Sequence, residues 1–274
     1  MATERDVVGH YTHGSLRQAV LDGIAALGRE PGTLSADDLA GIDEFHMGGR
    51  RATAGIGERL GLAPGDVLLD VGSGLGGPAR HFAGRFGCRV AGVDLTPEYV
   101  EVAAMLTRLV GLADRAAFCA GSALALPFAG AAFGAATLLH VGMNLADKGA
   151  MCAEVARALR PGGVFAVYDV MRMGDGELGY PVAWAGTPQA SFLAEPEVYR
   201  AALRGAGFEV VEERDRRELA LAGFRKGRER KAVGGPALGP GLVMGPDAAT
   251  KVANMVAGLE RGVIAPVEMI CRRR

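Results

Sequence analysis

The chain is poor in cysteine and none of it is paired by spacing: Cys88, Cys119, Cys152 and Cys271 stand far apart. That argues against a disulfide framework or a zinc-ligand set, so no metal is expected and the thiols read as reduced and buried. An excess of charge of one sign is also missing. The formal net charge is -1 over 274 residues, so nothing global favours a polyanionic partner, and no nucleic acid is expected. No apolar run reaches the roughly 18 residues of a spanning helix. No N-terminal apolar stretch reads as a secretion signal, so the expectation is no membrane partner and a cytoplasmic location. Internal repeats and low-complexity tails are absent. What remains, 49% hydrophobic and 22% charged residues, suits one large α/β domain or a domain with a cap, as a monomer or homodimer.

What is present is organised around Val67-Leu68-Leu69-Asp70-Val71-Gly72-Ser73-Gly74-Leu75-Gly76-Gly77, with Pro78 opening a helix. An apolar strand runs into a glycine-dense turn and a helix N-terminus, where unpaired N–H groups face outward and the backbone admits a ligand closely. Gly72, Gly74 and Gly77 fit G-x-G-x-x-G, which by itself also fits a dinucleotide site. Asp70 shifts the balance: a carboxylate there crowds a pyrophosphate and suits a cationic ligand. A second acid, Asp94, ends the next apolar run, where it can take two ribose hydroxyls.

Taken in order, the chain predicts three helices before the first strand. Leu16, Val20, Ile24 and Leu27 recur at helical spacing after Ser15, and Ser35 with Asp38 forms a capping box. The third helix follows Phe45-His46-Met47-Gly48-Gly49 and ends near Gly61, so 1–62 reads as a helical cap and 63–274 as the core. Strands at 67–71, 89–94, about 116–120, about 134–140 and 164–169 alternate with helices capped at Thr96 and Asp147, which predicts a Rossmann-like, mostly parallel seven-stranded sheet with helices on both faces. Leu159-Arg160-Pro161-Gly162-Gly163 reads as a sharp stop before strand five. A helix at 196–205 and a strand at 208–214 follow. Insertions at 171–195 and 217–262, the latter with a Gly/Pro-rich loop at 234–246, complete the substrate pocket, and 267–271 reads as an antiparallel strand at the sheet edge.

Asp70 to Pro78, Val93-Asp94-Leu95-Thr96, Leu126-Pro127-Phe128 and Leu159 to Gly163 resemble, in that order, the successive motifs of class I S-adenosylmethionine-dependent methyltransferases. Tyr11-Thr12 and Met47-Gly48-Gly49 are similar to the small-molecule branch that methylates sarcosine, dimethylglycine or phosphoethanolamine. The resemblance implies S-adenosyl-L-methionine as cofactor, S-adenosyl-L-homocysteine as product, and in-line methyl transfer to an amine nitrogen. It implies cofactor contacts from Tyr11, His46, Met47, Asp70, Gly72, Ser73, Gly74, Asp94, Leu95, Gly121, Ser122, Ala123 and His140. Ser122 stands where many relatives carry an acid for the adenine amino group, and Gly134 replaces a frequent aspartate.

His140, at the end of strand four, is a candidate proton acceptor and Tyr11 a second catalytic candidate, while the same histidine could simply bond a ribose or the backbone. Asn144, Tyr180, Trp184 and Phe192 are candidate substrate contacts. The aromatic side chains either wall a pocket for a cationic amine or pack the insertion onto the core. Arg172 or Arg200 would serve a substrate carboxylate. The run Arg225 to Lys231, broken by Gly227 and Glu229, reads as a solvated helix end. C- or O-methylation of a quinone-like or natural-product acceptor, a nicotinamide-dependent oxidoreductase and a non-catalytic cofactor-binding protein stay open at this point.

Overall fold

Within β1 (Val67–Val71) the period-two alternation of a strand decides the layering: Leu69 and Val71 enter one core and Leu68 the opposite one. The computed structural model describes residues 3–28, 32–232 (side chains through Glu229) and 238–274. β1 pairs in parallel with β2 (Arg89–Asp94), and β2 with β3 (Ala116–Ala120); on its other side β1 pairs with β4 (Phe133–Leu139), and β4 with β5 (Leu159–Arg172). β6 (Phe208–Asp215) and β7 (Ile264–Arg273) complete a seven-stranded sheet of order β3-β2-β1-β4-β5-β7-β6, in which β7 is antiparallel to both neighbours. The chain leaves β1 toward β2 and β3 and returns to β4 on the other flank. That reversal opens a crevice at the carboxyl ends of β1 and β4.

Four helices precede the sheet: α1 (Glu4–Tyr11), α2 (Leu16–Ala25), α3 (Ala36–Asp43) and α4 (Gly49–Leu60). α5 (Gly77–Phe86) and α4 cover one face through Ile56, Phe82 and their neighbours, and α6 (Pro97–Leu109) receives α2 and α3 on Tyr99, Val102 and Leu106. α7 (Lys148–Ala158) and α8 (Pro196–Gly205) cover the opposite face through Met151, Val155, Tyr199 and Leu203. Each such side chain, fully buried, contributes about 1.5–3 kcal/mol relative to exposure. α9 (Arg217–Ala232), α10 (Gly241–Met244) and α11 (Ala248–Glu260) pack with Trp184, Val182 and Met255 in a separate apolar cluster beyond β5.

Several expectations change. β7 lies inside the sheet rather than at its edge, which is β6. Its side chains from Ile264 to Cys271 are buried without interruption, as a two-sided interior strand requires, whereas in β6 only Phe208 is fully buried and the strand ends in exposed charged residues. Residues 159–163 are a wide bulge within β5 rather than a stop: Leu159 pairs with Phe133 and Val164 with Ala135. Because β7 pairs through Arg172, β5 continues into the stretch expected to be insertion. The polar start forms α1, closed by a capping box of Thr3 and Asp6 and burying no residue, so apolar periodicity could not announce it. Positions 234–237 of the expected 234–246 loop lie outside the described residues, and Gly241–Met244 is helical. Among the described residues no helix is long and apolar enough to cross a membrane. Arg225, Lys226 and Arg228 are exposed on α9, and the side chains of Arg230 and Lys231 lie outside the described residues.

Candidate active site

The floor of the crevice is built by β1 and β2. Asp70 is buried at the end of β1; its Oδ1 accepts from Thr137 Oγ at 2.7 Å, Thr137 being its register partner on β4. Its Oδ2 is buried without a partner. Burial pushes the Asp70 carboxyl up to about 7, against the Thr137 hydrogen bond, and the Asp94 charge adds to the rise. Asp94 ends β2 and accepts the Gly74 N–H at 2.8 Å and the Thr96 N–H at 2.9 Å. It thereby ties the glycine loop to the start of α6. Its carboxyl is also raised by burial, and each oxygen keeps a further lone pair for a ligand. Gly72 has φ +70°, and a Cβ there would collide with Val141, so the loop passes β4 with room only for glycine.

Around this floor stand further polar atoms with nothing to bond. Ser73 Oγ and Tyr99 Oη, like Asp70 Oδ2, are buried and unpartnered, and all three residues line the crevice. Buried orphans of this kind cost about 1–3 kcal/mol each, and three of them belong to residues of one crevice. The enclosed space amounts to about 110 Å³ and is partly open to solvent.

α1 forms the roof. Tyr11 Oη donates to Asn144 Oδ1 at 3.4 Å, and the Tyr11 ring meets Tyr99 edge-on at 5.9 Å. Burial pushes the Tyr11 phenol well above its ordinary value, so it stays a neutral donor. The helix is pinned by Glu4, which accepts from the Ser122 hydroxyl, and by Glu98, which accepts the N–H groups of His13, Gly14 and Leu16 at 2.7, 3.1 and 3.0 Å.

The side wall is the loop after α3. Thr53 Oγ donates to Glu44 Oε2 at 2.5 Å and accepts from His46 Nε2 at 3.1 Å, a network that assigns the His46 proton to Nε2. Burial holds His46 down at about 4 and lifts Glu44 to about 7, the Asp43 charge adding to the latter. His140 has both ring nitrogens engaged: Nε2 accepts the Met47 N–H at 3.2 Å, and Nδ1 donates to the Tyr168 carbonyl at 3.1 Å. Burial, reinforced by His46, pushes it down to about 3. The lone pair that a proton acceptor would use is already taken, so this geometry does not offer the base expected of His140.

Of the residues singled out in the sequence, Tyr11, His46, Asp70, Gly72, Ser73, Gly74, Asp94, Leu95, Gly121, Ala123, His140 and Asn144 line one crevice. Met47 touches it only through its neighbours, its side chain being buried in the apolar cluster with Trp184. The Ser122 hydroxyl is turned to Glu4 and the Leu124 N–H. Tyr180 and Trp184 pack in the cluster beyond β5, Trp184 Nε1 donating to Ser191 Oγ at 2.9 Å, and Phe192 gives its carbonyl to Lys148; none of the three lines the crevice. Arg172 is spent on the carbonyls of Gly174 and Gly176, and Arg200 on Glu197 and Glu213, which removes both as partners for a substrate carboxylate. Sequence reasoning missed Tyr99, Phe45, Asp43 and Thr137. Thr137 carried a signal, as a lone hydroxyl in the apolar run Ala135 to Leu139; Tyr99 carried another, as the first aromatic after the Asp94–Thr96–Pro97 turn.

Two buried acids thus stand at the ends of adjacent strands of an open sheet, with a glycine loop strung between them. Residues 69–167 match the family described as "Methyltransferase domain". The chain is 32% identical over 178 residues to methyltransferase GfsG of Streptomyces halstedii, covering 64% of each chain. It is 32% identical over 180 residues to erythromycin 3''-O-methyltransferase of Saccharopolyspora erythraea, covering 61% of this chain and 58% of that one. Its fold is like that of phosphoethanolamine N-methyltransferase 2 of Haemonchus contortus, with a TM-score of 0.73 at 21% identity, over 100% of this chain and 60% of that one. The aligned part spans 64%, 48% and 30% of the length of the first curated relatives it matches.

Proposed function

We propose that the protein is an S-adenosylmethionine-dependent methyltransferase whose acceptor is a small molecule without an anionic group, an amine nitrogen first among them. The observation that carries this reading is the charge of the crevice. Glu4, Asp70 and Asp94 line it, as does Asp43, whose charge is met by the buried Arg80; no lysine or arginine lines it among the described residues, and both lining histidines are held uncharged. Such walls attract a cation and offer an acceptor's phosphate or carboxylate no cationic side chain to pair with.

The residues suit the cofactor. Asp70 Oδ2, an unpartnered acceptor, would hold its ammonium group, the free lone pairs of Asp94 its ribose hydroxyls, and Gly72 to Gly74 would admit it against the backbone. When bound, S-adenosylmethionine supplies a methyl group on a sulfonium already activated for displacement. What the chain contributes is alignment of the acceptor and exclusion of water, effects that can be worth about 7–11 kcal/mol of barrier. The rings of Tyr11, Tyr99 and Phe45 face the space an ammonium or its neutral amine would cross.

An amine arrives with a lone pair in its neutral fraction and needs no protein base, whereas a hydroxyl must lose its proton. With His140 engaged on both nitrogens, the amine is favoured. Sarcosine and dimethylglycine, which the resemblance implies, carry a carboxylate that this crevice leaves unpaired, and phosphoethanolamine fares worse. A hydroxyl acceptor is the second reading, favoured by the identity to erythromycin 3''-O-methyltransferase. The test is calorimetry with S-adenosylhomocysteine, then transfer of labelled methyl to a panel of amines, alcohols and phenols, each with and without carboxylate or phosphate. Turnover confined to phosphorylated or carboxylated acceptors, or no binding of S-adenosylhomocysteine, would overturn the proposal.

A further inference from the structure

We infer that His140 and Tyr168 are positioning residues: together they take the Met47 peptide by both its N–H and its carbonyl, and so fix the 44–48 loop as a wall of the crevice. The ring of contacts is closed. The Met47 N–H donates to His140 Nε2 at 3.2 Å, and Tyr168 Oη donates to the Met47 carbonyl at 2.7 Å. The Tyr168 carbonyl in turn accepts from the His140 N–H at 2.7 Å and from His140 Nδ1 at 3.1 Å. Two side chains thus do for Met47 what a neighbouring strand would do: Tyr168 projects from β5 opposite Leu139, and His140 from the residue that follows β4.

His140 adopts φ +57°, a left-handed backbone that is uncommon outside glycine. The turn it makes on leaving β4 brings its ring to within 5.0 Å of the Tyr168 ring and 5.9 Å of His46. Tyr168 is wholly buried and does not line the crevice, so it acts on the site through Met47 and the two histidines its ring meets, His46 and His140. On either side of that peptide the loop is committed elsewhere: the Met47 side chain packs with Met143, Val170 and Trp184, while Phe45 and His46 face the crevice. The clamp therefore sets how far Phe45 and His46 stand from Asp70 and the glycine loop. It also gives His140 a reason to be histidine, since a neutral imidazole donates from one nitrogen and accepts at the other.

This assignment rests on the proposed cofactor site only for its effect on binding. His140→Ala, His140→Gln and Tyr168→Phe are compared with the wild type by calorimetry with S-adenosylhomocysteine, by hydrogen–deuterium exchange of the 44–50 segment, and by the pH profile of whatever methyl transfer is found. Melting temperatures identify any variant that fails to fold, and Tyr168→Phe is the variant least prone to do so. His140→Ala and Tyr168→Phe are each expected to weaken binding about tenfold, the loss of one buried hydrogen bond. Both should speed exchange in 44–50 and leave the shape of the pH profile unchanged. His140→Gln, whose amide oxygen can accept from Met47, should recover most of the affinity. Unchanged exchange in both His140→Ala and Tyr168→Phe would overturn the clamp. So would a wild-type-like Tyr168→Phe beside His140 variants that lose an ionisation from the pH profile. A wild type that binds no S-adenosylhomocysteine would sink the methyltransferase reading instead, with the exchange measurement still deciding this one.

Discussion

Asp70 is buried with one oxygen on Thr137 and the other on nothing, and its carboxyl has risen to about 7 as a result. A cation placed on the free oxygen stabilises the ionised form, so binding must pull that value down and expel a proton. Near pH 7 the free protein holds the group about half protonated, whereas the bound protein holds it ionised. Affinity for S-adenosylhomocysteine, whose ammonium supplies the cation, is therefore expected to rise with pH between about 5 and 7.5. Calorimetry in two buffers of different ionisation enthalpy should show proton release. Asp70→Asn should abolish the release and weaken binding by about 1.5–3 kcal/mol, the worth of a hydrogen bond to a charged group. Proton uptake on binding would contradict the assignment. The position of Asp70 before the glycine loop was legible in the sequence; its unpaired oxygen was not, because that depends on Thr137 arriving from a strand 67 residues away.

At the scale of elements, the join between α3 and α5 shows what local pattern misses. The start of α3 is written plainly, Ser35 accepting the Asp38 N–H and Asp38 returning the favour. Its end is not: Asp43 closes the helix by pairing with Arg80 of α5 at 2.6 Å, both side chains fully buried. Arg80 also donates to the carbonyls of Leu75 and Ala103 and to Thr107, so its charge is satisfied on several sides. In the sequence Arg80 reads as one more arginine beside the apolar face of a helix. Gly77 completes the join, since a Cβ there would run into the Asp43 backbone carbonyl. Removing one partner of a buried pair strands the other. Asp43→Ala is therefore expected to cost about 3–5 kcal/mol in urea unfolding, and the double variant Asp43→Ala, Arg80→Met to recover part of it. A double variant that simply adds the two single losses would mean the pair is not coupled. The position of β7 was open to a similar reading: its buried run, apolar but for Glu268, marks an interior strand, while the charged second half of β6 marks an edge.

Across the whole molecule, the buried ionisable groups fall into two opposed sets. Asp70, Glu44 and Asp169 are each raised to about 7, chiefly by burial. His46 and His81 are lowered to about 4 and His140 to about 3, again chiefly by burial. For the acids the folded state binds more protons than the unfolded one. Their stabilisation is complete below the ordinary carboxyl value and is lost as pH rises through about 7. For the histidines the unfolded state binds more protons, so stability is complete above their ordinary value and is lost as pH falls toward about 4. Between about pH 4.5 and 6 the two slopes oppose each other and nearly cancel. Above about 6.5 the unfolded histidines lose their remaining protons, and the slope from the acids outweighs theirs. The melting temperature of the ligand-free protein is thus expected to be nearly flat from pH 5 to about 6 and to fall between about 6.5 and 8. S-adenosylhomocysteine, by ionising Asp70 at binding, should flatten that fall, and so should Asp70→Asn without ligand. Scanning calorimetry across this range decides it: a melting temperature that climbs from pH 6.5 to 8 would mean that these carboxyls are not held protonated in the folded chain, and the proton release expected when S-adenosylhomocysteine binds at Asp70 would then be absent as well.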